Sequence, residues 1–268
     1  MNDDIPRTHP LARISGGESW RMSLPHSTDY ARLIWLARGH GQMMMDGIQL
    51  AASPNMAIFV PAETLFSMSV TGPLFGTMLS IPVGADIPLP QHAHGIRVPS
   101  AQTQSELTTL LDDMMREQQR GLDFHAQAAR AYAILISVWL RRTSLVAPPL
   151  PDLRADQRLS QRFARLIVRE FRNGKPMSWF AEQLDVTPGH LSRACKHASG
   201  QSASNLLTGR VLHETRRLLA DSSYKIGRIA AYLGFRSASH FTRFVQNQTA
   251  ASPTRLRIDA PRRRDSSA

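Results

Sequence analysis

Apolar and polar positions change their period along this chain, and the changes mark out its elements. From Tyr30 to about Leu89 the apolar residues come in short runs broken by Gly, Pro and Asp: ARLIWLA, GQMMM before Asp46-Gly47, MAIFV before Pro61, FSMSV before Thr71-Gly72, and FGTMLSI before Pro82. Runs this short and this regular predict an antiparallel barrel or sandwich, with Trp20 and Met22 beginning its first strand. Asp46-Gly47 suits a two-residue hairpin turn. From Ser100 the period becomes helical: Ser105, Leu107, Leu110, Leu111, Met114 and Met115 form one stripe that Gly121 ends. A second helix over 123–142 carries Ala129, Tyr132, Ala133, Ile136, Val138 and Leu140. Such paired amphipathic helices need cover, either from the barrel of their own chain or from the same helices of a second copy.

Beyond a run with three prolines (VAPPLPD) the pattern is helical throughout. A helix over 156–172 turns Phe163, Ile167 and Phe171 inward, and a long helix runs near Ser202–Ala220. On either side of that long helix lies the same unit. In the second copy Ile226, Ile229, Ala230 and Leu233 recur at helical spacing and Gly234 stops the helix. Ser237 then caps another helix, whose apolar face is Phe241, Phe244 and Val245. In the first copy Ala181 matches Ala230, Leu184 matches Leu233 and Leu191 matches Phe241, the second turn being one residue longer. Thr187-Pro188 is a capping residue followed by proline at the first helical position. Two short helices joined by a tight turn read as a helix-turn-helix, and a tandem repeat makes a plain helical hairpin improbable.

Charge sharpens this division. Residues 154–268 hold 21 Lys/Arg against 8 Asp/Glu, whereas residues 1–153 hold 11 against 13. Only the second half is basic, which points to a polyanion partner, double-stranded DNA, for that half. The outward residues of the two reading helices are then Gly189, His190, Ser192, Arg193 and Lys196, followed by Ser237, Ala238, Ser239, Thr242 and Arg243. Arginine suits guanine or phosphate, and the hydroxyls can donate to phosphates or base edges. A helix of about 19 residues spans about 28 Å, close to the ~34 Å repeat of the major groove. Cys195 is the single cysteine; it falls on the inward stripe and rules out an intrachain disulfide, which suits a reducing cytoplasm. No apolar run is long enough to span a membrane, and the N-terminus does not read as a signal peptide.

The first half offers little catalytic chemistry. His92 and His94 form an HxH pair after two prolines, with no third ligand at useful spacing. GxSxG, P-loop and GxGxxG motifs are absent. We expect no catalytic residues, no metal and no cofactor; a barrel of this kind more naturally holds a ligand. The effector-binding candidates are Trp35, Arg38 and Phe66. In the strand ARLIWLARG, Leu33, Trp35 and Ala37 share one face, and Arg32, Ile34, Leu36 and Arg38 the other. Arg38 lies near the strand end, where it could reach round a mouth closed by Phe66 and hold a small carboxylate, an aromatic one being a candidate. The alternative is a surface arginine pairing with Glu63 or Asp46.

Residues 156–257 resemble the DNA-binding domain of AraC/XylS-family transcriptional regulators. The resemblance is carried by Ile229-Ala230, Gly234-Phe235, Ser239-His240-Phe241-Thr242-Arg243 and Ser252-Pro253, and in the first motif by Leu184 through Gly200. It implies base-facing roles for Gly189, Ser192 and Arg193, then Ala238, Ser239, Thr242 and Arg243. The chain departs from the family pattern at Ala250, Leu256 and Cys195. Leu33 to Ser80, with LARGHG, MDG and FVPAETLF, is similar to the family's cupin-type effector domain, as in regulators of aromatic-acid catabolism. The resemblance implies an α+β chain: a cupin-like β-barrel with a helical hairpin over 1–145, which binds an effector and dimerises. A Pro-rich linker over 146–153 follows, then an all-α domain with two helix-turn-helix motifs over 154–258 and a disordered basic tail over 259–268. It also implies a cytoplasmic homodimer that acts as an activator, with RNA polymerase as a partner, under the control of a small molecule. The alternative is a metal-dependent cupin enzyme or a small-molecule binding protein with an accessory DNA-binding domain.

Overall fold

The computed structural model describes residues 4–12, 18–147 and 152–260. Its contacts divide into two compact units, residues 1–23 with 27–154, and 155–268 with 24–26. Most of the Pro-rich run and the basic tail from residue 261 lie outside the described residues.

The first unit is a six-stranded antiparallel sheet with a helical hairpin. Its strands are β1 (Arg7–Pro10), β2 (Tyr30–Met45), β3 (Ile48–Ala52), β4 (Met56–Val60), β5 (Phe66–Pro82) and β6 (His94–Arg97). They run in the order β1-β5-β2-β4-β6, with β3 beside the outer half of β2. Asp46 and Gly47, at φ 49° and 80°, make the expected hairpin turn between β2 and β3.

Two expectations fail for identifiable reasons. Trp20 and Met22 do not begin a strand: they lie in a short helix, α1 (Trp20–Ser23), and the first strand is Arg7–Pro10. That strand has no apolar alternation to announce it. It is held by Gln118, whose amide oxygen accepts from the Thr8 backbone N–H at 3.0 Å while its amide nitrogen donates to the Thr8 carbonyl at 3.3 Å. Secondly, the runs divided at Gly39–Gly41 and Gly72 are single long strands. Gly39 and Gly41 permit close backbone approach rather than end the strand, whereas Gly72 supplies left-handed backbone at φ 79° with nothing against it. A Cβ on Gly76 would strike the Trp35 carbonyl, and one on Gly41 the Ser69 carbonyl. Bulges in β2 on either side of Arg38 bend the strand.

Both faces of this sheet are covered. Leu33, Trp35, Phe59, Leu79 and Ile81 pack beneath α2 (Ala101–Arg120) and α3 (His125–Val146), against Leu107, Leu111, Met114, Ile136 and Trp139. Ile34, Leu36, Ile58 and Phe66 meet a second core rich in methionine, with Met22, Met43, Met45, Met68 and Met78. Ser100 caps α2 by accepting from Thr103 N–H, and Gly121 ends it at φ 58°.

The second unit is all helical: α4 (Ala155–Glu170), α5 (Met177–Glu182), α6 (Pro188–Ser199), α7 (Ala203–Asp221), α8 (Ile226–Tyr232), α9 (Ala238–Thr249) and α10 (Pro253–Asp259). Phe163, Phe180, Leu191, Leu206 and Phe241 are fully buried in it.

Candidate nucleic-acid interface and effector cavity

The second unit is built so that two helices each keep one face dry and one face wet. Helix α6 begins at Thr187, whose hydroxyl accepts from His190 N–H at 3.2 Å, with Pro188 next. Helix α9 begins at Ser237, which accepts from His240 N–H at the same distance. Leu191, Ala194, Cys195 and Ala198 bury the inner face of α6, and Phe241 and Val245 that of α9. The outer faces hold Gly189, His190, Arg193 and Lys196, then Ser237, Ala238, Ser239 and Arg243, all exposed; Ser192 and Thr242 are half-buried at the edges. Every proposed DNA-facing position therefore lies off the packed stripe. Arg236 was missed. It is exposed in the longer second turn, just ahead of Ser237.

Helix α7 separates the two motifs, with 19 residues, hence about 28 Å of axis. Its middle carries a buried ionic cluster. Glu214 accepts from Arg210 at 3.2 Å and from Arg217 at 2.8 Å, and the Arg210 guanidinium lies 3.7 Å from the centre of the Phe171 ring. Burial pushes the Glu214 carboxyl up, but the Arg217 hydrogen bond and the two positive charges outweigh it and leave the pKa at about 2. Burial likewise pushes Arg210 down, and Glu214 only partly restores it, to about 10. Cys195 is fully buried. Desolvation raises its thiol to about 11 despite a hydrogen bond with Ser160, so it is a core residue rather than a reactive one.

In the first unit the three effector candidates are not brought together. Trp35 lies under the helices and donates its indole N–H to Thr108 at 3.1 Å. Phe66 faces the methionine-rich core on the opposite side of the sheet. Arg38 is exposed at the bulge, its Cα partner being the exposed Phe75. Both faces of the sheet are buried, and the bulges about Arg38 exchange the faces along β2, so that Trp35 and Met45, the Cα partner of Phe66, lie in opposite cores although both positions are odd. A cavity of about 220 Å³ opens elsewhere, beside the methionine-rich core, lined by Leu11, Ser19, Met22, Ser23, Met68, Ser69, Val70 and Leu74. None of these residues is charged. The His94 ring is engaged by the His92 carbonyl and the Ser144 hydroxyl, at 2.8 and 3.0 Å. No group of three or more metal-ligating side chains occurs among the described residues.

Comparison with known proteins agrees with this geometry in the second unit. Residues 180–258 match the family model of a helix-turn-helix domain. No match was found among curated protein sequences. Among solved structures the chain is similar to ToxT from Vibrio cholerae bound to an unsaturated fatty acid (11% identity over 95% of this chain and 93% of that one, TM-score 0.44). It is also similar to the C-terminal domain of AraT, a response regulator from Geobacillus stearothermophilus (27% identity, 40% of this chain and 88% of that one, TM-score 0.36). A third similarity is to the C-terminal domain of the response regulator YesN from Fusobacterium nucleatum (21%, 37% and 98%, TM-score 0.36).

Proposed function

We propose that this chain, whose residues 180–258 form an AraC/XylS-type helix-turn-helix domain, is a transcriptional regulator whose two reading helices enter successive major grooves of one DNA duplex. The observation that carries this reading is the pairing of α6 and α9. Each is capped at its start, buried on one side and polar or basic on the other, and the 19 residues of α7 between them span about 28 Å, which approaches the ~34 Å groove repeat. Arg193 and Arg243 occupy the same place in the two helices and read base edges, with the hydroxyls of Ser192, Ser239 and Thr242 beside them on the base-facing side; Lys196, Arg236 and the Ser237 hydroxyl hold phosphates. The protein's work is regulation rather than catalysis, carried out in the cytoplasm where the DNA is, and its output is a change in promoter use by RNA polymerase. No helix among the described residues is long and apolar enough to cross a membrane.

The first unit senses a small molecule. Its cavity is lined by apolar side chains, two of them methionines that can adapt their shape, with three serine hydroxyls and no charge. At about 220 Å³ it is smaller than the ~300–1,000 Å³ of drug-sized sites. The ligand class is accordingly a small apolar molecule with one or two hydrogen-bonding groups, in preference to an aromatic carboxylate. The chain acts as a homodimer through α2 and α3, where Ile134 and Leu135 are left 40% and 52% exposed on α3, since two-fold dimers are the commonest assembly.

The testing experiment is enrichment of duplexes from a random-sequence library by the full chain, followed by titration at 50 and 200 mM salt. A consensus should emerge, with affinity falling about 10²-fold or more between the two salts. Failure to enrich any sequence would defeat the reading. Thermal shift with neutral apolar compounds and with aromatic carboxylates tests the effector class; Val70→Trp should abolish any shift. Sedimentation should show a dimer that Leu135→Glu converts to monomer.

A further inference from the structure

Both helix-turn-helix motifs enter their turn through left-handed backbone, but not with the same residue. After Leu184 the first takes left-handed backbone at Asp185 (φ 57°); after Leu233 the second takes it at Gly234 (φ 77°). The turn itself therefore accepts a side chain. What requires glycine in the second motif is a neighbour. A Cβ on Gly234 would strike the Arg172 carbonyl oxygen and would stand 2.6 Å from the Gly174 nitrogen and 3.0 Å from the Asn173 carbonyl carbon. Reciprocally, a Cβ on Gly174 would strike the Gly234 carbonyl oxygen, 3.2 Å from its carbon. The loop that leads from α4 into the first motif thus lies backbone to backbone on the turn of the second, although α5, α6 and α7 all intervene in sequence.

Side chains flank this contact on both sides. The Arg172 guanidinium stands 4.8 Å from the Phe171 ring centre and 4.7 Å from that of Tyr232, at the end of α8. Arg210 of α7 covers Phe171. Within the loop, Asn173 N–H donates to the Glu170 carbonyl at 3.0 Å and the Asn173 side-chain oxygen accepts from Lys175 N–H at 2.8 Å. The loop is therefore held at its own ends as well as against the turn.

We infer that residues 171–175 brace the second motif against the first, and that Gly174, Gly234 and Arg172 are positioning residues for the spacing between the two DNA half-sites. Without the brace, the connection between the two motifs would rest chiefly on α7 among the described residues. With it, the separation and angle of α6 and α9 are fixed from two sides, and the protein discriminates among operator spacings through residues that touch no base. This rests on the proposal that both helices bind one duplex.

The test uses the full chain, the duplex it enriches, versions of that duplex with one or two base pairs inserted between the half-sites, and a duplex carrying the first half-site alone. The wild type should lose about 10²-fold in affinity on insertion, because only one of two linked contacts survives. Gly174→Ala should bind the uninterrupted duplex about tenfold or more weakly, lose most of the insertion penalty, and bind the single half-site as the wild type does. Gly227→Ala, in α8, is the control: a Cβ there meets nothing within 4 Å, and it should behave as the wild type. Arg172→Ala leaves the backbone contact intact and should reduce the insertion penalty in the same direction without altering the melting temperature; it decides the matter if Gly174→Ala does not fold. A full insertion penalty in either folded variant overturns the brace, as does equal loss on the half-site. If the wild type enriches no duplex, the reading of the motifs as DNA-binding fails first and the brace falls with it.

Discussion

Replacing Glu214 with Gln should destabilise the second unit by about 3 kcal/mol, and two lines of reasoning give that figure. Glu214 lies 4% exposed between Arg210 and Arg217. A carboxyl whose pKa falls from 4.5 to about 2 on folding contributes about 3 kcal/mol once the pH is above both values. Independently, removing one partner of a buried ion pair costs about 3–5 kcal/mol, because the other charge is left buried alone. That other charge is Arg210, at 3% exposure and already pushed down to about 10 by burial. The pair as a whole therefore adds little net stability, since desolvating Arg210 opposes what Glu214 gains; breaking it is what costs. The sign of the pH dependence follows. The folded pKa is depressed, so the contribution is fully present above about pH 5 and is lost as the pH falls towards 2. Amide exchange across residues 203–221, read by mass spectrometry in the full chain, measures this locally. Protection in α7 should drop by about two decades for Glu214→Gln at pH 7, and its remaining stability should vary less with pH between 5 and 3 than that of the wild type. Wild-type protection in the variant, or an unchanged acid profile, would refute the reasoning.

Arg193→Ala and Arg243→Ala should each weaken binding to the enriched duplex by about 1–3 kcal/mol and relax its sequence preference; an equal loss on random DNA would reduce both to phosphate contacts. Ala250→Gly should raise the melting temperature of the second unit. Ala250 ends α9 at φ 56°, where the matching Gly200 ends α6 at φ 76°. Relieving left-handed strain of about 1–2 kcal/mol, less the greater chain entropy of unfolded glycine, leaves a gain of about 0.5–1 kcal/mol. Cys195 should resist thiol reagents in the native protein and react only on unfolding; rapid stoichiometric labelling under native conditions would contradict its placement in the core.

The second unit was legible in the sequence because its signals are local. Thr187-Pro188, Ser237 and Ser252-Pro253 announce helix starts within two residues, and the 3.6 period then separates Leu191 and Phe241 from Arg193 and Arg243. The reason for Gly234 was not legible, because it lies in a loop far away in sequence. The sheet was legible as strands but not as faces. Period two in β2 distinguishes Trp35 from Leu36, yet it cannot say which core each one meets when both are dry. Trp35, Arg38 and Phe66 therefore read from sequence as one effector site, whereas the structure scatters them. Nor could alternation reveal β1, which hydrogen bonds to Gln118 help to hold. The glycines in β2 and β5 resemble turn residues until the neighbouring strand is seen against them.

Whether one chain places two helices in adjacent major grooves is decided by methylation interference on the enriched duplex. Two clusters of guanine positions should appear, about 10 base pairs apart on one side of the duplex, with Arg193→Ala erasing one cluster and Arg243→Ala the other. A single cluster, or two that both variants erase together, would contradict that placement.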